Sequence, residues 1–270
     1  MRPIAAALLV STLLGPSAVA AGPIPDKELE AAIRAALRLD EKAELDDEKL
    51  KGLFVLEISG REVADLSGLD RCPNLALIRV AKGRVADLGP LKGLANLQSL
   101  DLSGNKVADL APLGALARLQ YLNLADNQVE RLDPLAKLAD LNALDVTGNK
   151  VADLAPLGKL ARLTSLYAGR NQVADLAPLA TLARLATLNV SDNQVADLAP
   201  LAKLADLDLA VIERNKVTDL GPLVQATRPA PGAAARPLFT RIYLAGNPLT
   251  DAAKADQLPA LRATGIRVEF

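Results

Sequence analysis

Residues 97–118 read LQSLDLSGNKVADLAPLGALAR, and residues 119–140 read LQYLNLADNQVERLDPLAKLAD. The two segments are in phase over 22 residues, and the phase extends outward in both directions. With Leu97 as position 0, steps of 22 reach Leu53 and Leu75 upstream and Leu119, Leu141, Leu163, Leu185 and Leu207 downstream. Position 3 reads Leu56, Ile78, Leu100, Leu122, Leu144, Leu166, Leu188 and Ala210. Position 5 reads Ile58, Val80, Leu102, Leu124, Val146, Ala168, Val190 and Ile212. Position 10 is Val in all eight copies, from Val63 to Val217. Position 8 is Asn in six consecutive copies (Asn105, Asn127, Asn149, Asn171, Asn193 and Asn215), after Arg61 and Gly83 in the first two. A ninth, irregular copy places Phe239, Ile242, Leu244, Asn247 and Leu249 on the same pattern.

The motif L-x-x-L-x-L-x-x-N-x-V is the leucine-rich-repeat signature, and eight in-phase copies predict a solenoid with one coil per repeat. Side chains alternate along a strand, so positions 3 and 5 point inward and positions 2, 4 and 6 outward. Successive strands stack as a parallel sheet. Asn at position 8 falls in the turn after the strand, where one amide can donate to and accept from backbone groups that would otherwise be buried unpaired. Stacked copies, ending with Asn247, form a structural ladder. The second half of the coil reads D-L-x-P-L-x-x-L. Asp at position 12 (Asp65, Asp87, Asp109, Asp153, Asp175, Asp197, Asp219) suits a turn or helix N-cap. Pro at position 15, from Pro90 to Pro222, suits the first turn of a helix, where its missing N–H is harmless. Only a short helical turn, 3₁₀ in type, fits before the next strand. The expected fold is therefore an α/β, right-handed, curved leucine-rich-repeat solenoid, with the parallel sheet concave and the short turns convex.

Composition narrows the chemistry. The chain has 270 residues, half of them apolar, and a formal net charge of −1, which gives no basic face for a nucleic acid. It has no His, so the commonest general base and metal ligand is absent. The single Cys, Cys72, stands where other repeats have Leu and reads as a small buried hydrophobe. The row of Asp residues at position 12 is too sparse for calcium, which takes six to eight oxygens, so neither a metal nor any other cofactor is expected. No nucleophile–base pair or phosphate loop is present, which argues against an enzyme.

The termini carry different signals. Residues 1–20 hold Arg2, an apolar stretch from Ile4 to Leu14, the breakers Gly15 and Pro16, and Ala18-Val19-Ala20, together a secretory signal with cleavage near Ala20. Residues 21–52 follow as a helical N-terminal cap. Pro25-Asp26 starts one helix with Leu29, Ile33, Ala36 and Leu37 on one face, and a second short helix spans Asp46–Leu50. The eight repeats fill 53–228, an inserted loop (PAPGAAARPL) fills 229–238, and 239–270 holds the irregular last repeat and a C-terminal cap. In that cap Leu258, Leu261, Ile266, Val268 and Phe270 predict a short helix and a final strand.

The segment from Ile24 to Leu75 carries Pro25-Asp26, Leu29, Ile33, Leu37, Leu50, Leu53, Asp65-Leu66, Gly68-Leu69 and Asn74-Leu75. It resembles the helical cap and first repeats of bacterial internalin-type proteins, which share the 22-residue repeat. The resemblance implies an exported binding module whose concave face takes a protein partner. The sequence departs from that family in showing neither an immunoglobulin-like domain after the repeats nor a wall-sorting motif.

Candidate binding residues lie on the outward strand positions. Position 4 reads Glu57, Arg79, Asp101, Asn123, Asp145, Tyr167, Asn189, Val211 and Tyr243. Position 2 reads Val55, Leu77, Ser99, Tyr121, Ala143, Ser165, Thr187, Leu209 and Arg241. All three Tyr of the chain fall on these rows, and Tyr is enriched at interface hot spots. Tyr121 and Tyr167 are expected at the centre of a protein-binding surface that could also take a glycan, with Asp101, Asn123, Asp145 and Asn189 beside them and Tyr243 and Arg241 further along. The expected product is a monomeric, periplasmic or secreted protein without a membrane span. Alternatives are an intracellular regulatory subunit of a phosphatase-like enzyme and a structural envelope component.

Overall fold

The computed structural model describes residues 23–58, 62–204, 206–227 and 240–270. The secretory signal, Arg61, the inserted loop and Phe239 lie outside the described residues.

Ten strands form one open, curved, parallel sheet in chain order. They are β1 (Val55–Ile58), β2 (Leu77–Val80), β3 (Ser99–Asp101), β4 (Tyr121–Asn123), β5 (Ala143–Asp145), β6 (Ser165–Tyr167), β7 (Thr187–Asn189), β8 (Leu209–Val211), β9 (Arg241–Tyr243) and β10 (Arg267–Glu269). From β1 to β8 every pairing joins residues 22 apart, as in Tyr121↔Ala143 and Asp145↔Tyr167. Between β8 and β9 the partners Leu209↔Arg241 are 32 residues apart, yet the pairing stays in phase, with Val211 opposite Tyr243. Inward side chains therefore stay inward on both strands despite the longer connection.

The core is one continuous column. Positions 0, 3, 5, 10, 13, 16 and 19 of the coil are buried, as in Leu141, Leu144, Val146, Val151, Leu154, Leu157 and Leu160. Leu and Val suffice because each coil packs only on its neighbours, so the interior is a stack of similar layers. After position 12 the chain enters a 3₁₀ turn in six of the coils with Pro in its first two residues, for example Ala111–Ala115 with Pro112. The first coil's 3₁₀ turn, Leu69–Arg71, has no Pro, and its place in the repeat is taken by Gly68. In coil 8 the turn is α-helical instead, over Gly221–Ala226.

Asp at position 12 works one residue outside the helical turn and is not its N-cap. The N-cap is the following Leu, which has no side-chain acceptor to offer. Asp153 Oδ1 accepts from Ala155 N at 2.7 Å, and the same i+2 bond recurs at Asp65, Asp87, Asp109, Asp175, Asp197 and Asp219. This is an Asx turn that redirects the chain from the sheet side to the convex side.

Two helices precede the sheet. Helix α1 (Lys27–Ala36) packs beside β1, and α2 (Asp47–Lys51) lies against the first convex turn. Asp26 caps α1 with one carboxylate oxygen, accepting from Glu28 N and Leu29 N. Its other oxygen accepts from Ala64 N at 2.9 Å and Asp65 N at 3.2 Å, so one side chain ties the helix start to the first coil. The buried face of α1 is Leu29, Ala32 and Ile33; Ala36 faces solvent, contrary to its expected place, because the helix ends there and turns away. At the other end a π-helical turn (Ala253–Gln257) runs into α3 (Leu258–Ala263), which leads to β10. Phe270 stays 47% exposed, since among the described residues no further coil covers it.

Candidate functional site

The coil divides its polar residues between two tasks. Position 8 belongs wholly to structure. Asn149 Nδ2 donates to Val146 O and Thr147 O in its own coil and to Leu124 O of the preceding coil, at 2.8–3.3 Å. Its Oδ1 accepts from Val129 N, also of the preceding coil, at 2.9 Å. Asn105, Asn127, Asn171, Asn193 and Asn215 repeat this set, and Asn247 keeps three of its bonds, to Leu244 O in its own coil and to Ile212 O and Val217 N across the longer step to coil 8. Each Asn thus bonds backbone of two coils, and the side chains do not bond one another. At Gly83, where the series stops, a Cβ would crowd Val63 O and the Asn105 amide.

Position 7 went unnoticed in the sequence. Lys82, Gly104, Asp126, Gly148, Arg170, Asp192, Arg214 and Gly246 all have φ between +50° and +77°. Four of the charged members pair along this rim: Arg170 with Asp126 at 2.7 Å and Arg214 with Asp192 at 2.6 Å. The first pair reaches across Gly148, where any Cβ would strike Asp126 Oδ1. Alternation of Gly with charged residues 22 apart was the available signal.

The concave face is built from positions 2 and 4. Here several expected site residues have a local duty. Asp101 Oδ1 accepts from Ser103 N, Asn123 Oδ1 from Ala125 N, Asp145 Oδ1 from Thr147 N and Asn189 Oδ1 from Ser191 N. Asp and Asn alternate there because either supplies that one acceptor. Glu57, Arg79 and Asp101 form a charge chain over β1 to β3, with Arg79 3.1 Å from Glu57 and 3.6 Å from Asp101. Opposite charges at one position of successive repeats were legible in the sequence but were not singled out as a pair.

Tyr121 and Tyr167 are 39% and 38% exposed, which is high for large side chains in this molecule. Tyr121 borders Ser99 and Ala143 in the sheet, and Tyr167 borders Asp145 and Asn189. The floor between the two rings is small, made of Ala143 and Ser165. Burial pushes the Tyr121 phenol up, and the carboxylates of Asp101 and Asp145 push it further, against partial relief from Asn123 and Arg79. Tyr243 and Arg241 are half-buried on β9, five strands from Tyr121 and three from Tyr167, so the structure does not bring them into the same patch.

Cys72 is buried, its thiol pushed up to about 11 by desolvation and by Asp70, which makes it a poor nucleophile at neutral pH. Among the described residues no group of three or more His, Cys, Asp or Glu could hold a metal ion. A lateral groove of about 580 Å³ opens beside coil 4, where Glu130 and Arg131 replace the usual Ala-Asp. Its charges are paired internally, Lys150 with Glu130 and Arg131 with Asp133, both at 3.1 Å.

The stacked sheet, the Asn series and the variable outward rows define a leucine-rich-repeat solenoid. A family model for leucine-rich repeats in two copies matches residues 117–159, and a single-repeat model matches 93–110. The crystal structure of internalin C2 from Listeria monocytogenes is 30% identical, with a TM-score of 0.75 over 82% of this chain and 94% of that one. The chain belongs to the bacterial internalin-like family of leucine-rich-repeat proteins. A leucine-rich-repeat protein from Leptospira interrogans shares the fold at 22% identity and a TM-score of 0.63, covering 86% of this chain and 54% of that one. So does the ectodomain of the Arabidopsis thaliana receptor kinase GASSHO1/SCHENGEN3, solved with Casparian strip integrity factor 2, at 20% identity, a TM-score of 0.60, and 72% and 24% coverage. Comparison with curated protein sequences gives no match. Leucine-rich-repeat folds are typical protein–protein interaction domains, and members of this family generally bind or scaffold. No described helix is long and apolar enough to cross a membrane.

Proposed function

We propose that this protein is exported and binds a protein partner on the centre of its concave sheet, with Tyr121 and Tyr167 as the anchors. The observation that carries this reading is the exposure of both rings on one face of the middle of the sheet, with the small Ala143 and Ser165 on the same face; the other exposed large apolar side chains, Phe54, Val55 and Phe270, lie towards the two ends of the described solenoid. A Tyr ring supplies wide contact area at low entropy cost, so two of them on a rigid sheet are preorganised for binding. The repeat does not require an aromatic at either position: in the neighbouring middle coils position 2 holds Ser99, Ala143, Ser165 and Thr187, and position 4 holds Asp101, Asn123, Asp145 and Asn189. Export rests on the signal read in residues 1–20 and on membership of the internalin-like family. The action is non-catalytic, and residues 1–20, 21–52, 53–228, 229–238 and 239–270 serve as signal, N-terminal cap, repeats, inserted loop and last repeat with C-terminal cap.

The test is capture from extracellular and envelope fractions by the purified protein and by its Tyr121→Ala/Tyr167→Ala variant. A component held by the first and lost by the second supports the concave face. Equal retention by both rejects it.

A further inference from the structure

On the position-4 row the carboxylates are Glu57, Asp101, Asp145 and Glu269. Arg79 lies beside Glu57 and Asp101, and Arg267 Nε sits 2.7 Å from Glu269 Oε1. Asp145 alone of the four has no ion-pair partner among the described residues. Its sheet neighbours at the same position are Asn123 and Tyr167, neither of them charged. Tyr121 stands diagonally across from it, about 8 Å away by strand geometry. Asp145 Oδ1 takes the Thr147 N–H, and the second oxygen makes no hydrogen bond among the described residues; β5, which carries Asp145, runs between the strands of the two Tyr.

The other end of the sheet holds an internal counterpart. Tyr243 is the strand neighbour of Glu269, and Arg267 of the same strand as Glu269 pairs with that carboxylate. There a Tyr beside a carboxylate is supplied with a guanidinium by its own chain. At Asp145 the carboxylate stands beside one Tyr and diagonal to a second, and among the described residues no guanidinium pairs with it; Arg79, the cation that reaches Tyr121, is held by Glu57 and Asp101. Aromatic faces attract cations, and a neighbouring carboxylate strengthens that attraction.

We propose that the Tyr121–Asp145–Tyr167 cluster is a receptor for one basic side chain, Arg or Lys, on the protein partner. The proposal rests on the concave-face reading and gives it a chemistry: the partner presents a cation, not a carboxylate or a purely apolar knob. Within coils 3 to 7 the two outward rows carry no cation, and with Asp101 held by Arg79 of coil 2 the unpaired charge of this stretch is Asp145, which complements such a partner.

The three Tyr rings give separable NMR signals, each assigned by a single variant. The protein is titrated with N-acetyl-arginine amide and, as the neutral isostere, N-acetyl-citrulline amide. The arginine compound is expected to shift Tyr121 and Tyr167 saturably and to spare Tyr243, where Arg267 already sits. The citrulline compound is expected to bind at least about fivefold more weakly. Asp145→Asn is expected to remove that preference with the fold intact, since Asn123 and Asn189 already make the same backbone bond in nearby coils. Equal shifts with both compounds, an unchanged preference in Asp145→Asn, or no shift at all would overturn the proposal. Partner capture separates the two readings. If Asp145→Asn captures normally while Tyr121→Ala/Tyr167→Ala does not, the concave face stands and the basic side chain falls. If neither variant loses capture, both readings fall.

Discussion

Positions 4 and 8 of one coil are four residues apart and live under different rules. Position 8 is Asn in seven successive coils, and each copy bonds backbone groups of two coils. Position 4 changes from coil to coil through Glu, Arg, Asp, Asn, Tyr and Val. From coil 3 onward the inward-turned position keeps one solution, because only a short amide offers two donors and an acceptor at that reach. The exposed position has many, because water satisfies whatever stands there. Part of the exposed row is nonetheless tied down, since its Asp and Asn residues hold the N–H two residues on. The groups of this row's centre that the backbone does not claim include the Tyr121 and Tyr167 rings and the second oxygen of Asp145.

Substitutions across the coil should follow this division in stability and invert it in binding. The largest loss is expected inside. Leu144→Ala, at a fully buried site in the middle strand, costs about 2–5 kcal/mol by urea unfolding. Asn149→Ala strands backbone groups of two coils and costs about 1–3 kcal/mol in the same measurement. A loss below the effect of an ordinary surface change would erase the contrast between the two positions.

Asp26→Ala comes next, at about 0.5–2 kcal/mol, felt as faster amide exchange in residues 27–36 while the middle coils stay protected. Burial raises the Asp26 carboxyl, but backbone N–H groups of Ala64, Leu29, Asp65 and Glu28 outweigh it and hold it below its ordinary value. A carboxyl depressed in the fold stabilises above its unfolded pKa of about 3.9, and that contribution fades as pH falls through the folded value. The wild-type advantage over Asp26→Ala should therefore be full at neutral pH and shrink below about pH 4. The smallest change is on the face: Tyr121→Ala/Tyr167→Ala should stay within about 1 kcal/mol of wild type, as two exposed surface changes.

Much of this was legible because a repeat reports its own geometry many times. The 22-residue grid placed each inward Leu and Val, and the β8–β9 pairing kept that phase despite the longer connection. Resolving a task within the coil was harder. Asp at position 12 reads equally as an N-cap or a turn residue, and only backbone direction separates them. Asp101, Asn123, Asp145 and Asn189 look like free polar groups until their bonds to the main chain are seen. The left-handed backbone at position 7 was obscured because Lys, Asp and Arg share it with Gly, and a left-handed conformation is unusual for those residues. Ala36 fits the helical period but falls where the helix already ends.

The central claim is that the molecule separates what holds it together from what it uses to bind. The most direct test is to measure, side by side, the dissociation constant for the captured partner and the unfolding free energy in wild type and Tyr121→Ala/Tyr167→Ala. The account predicts more than about thirtyfold weaker binding, the scale of a hot-spot loss of 2 kcal/mol, with stability nearly unchanged. An unchanged dissociation constant, or weaker binding matched by an equal loss of folding free energy, would contradict it.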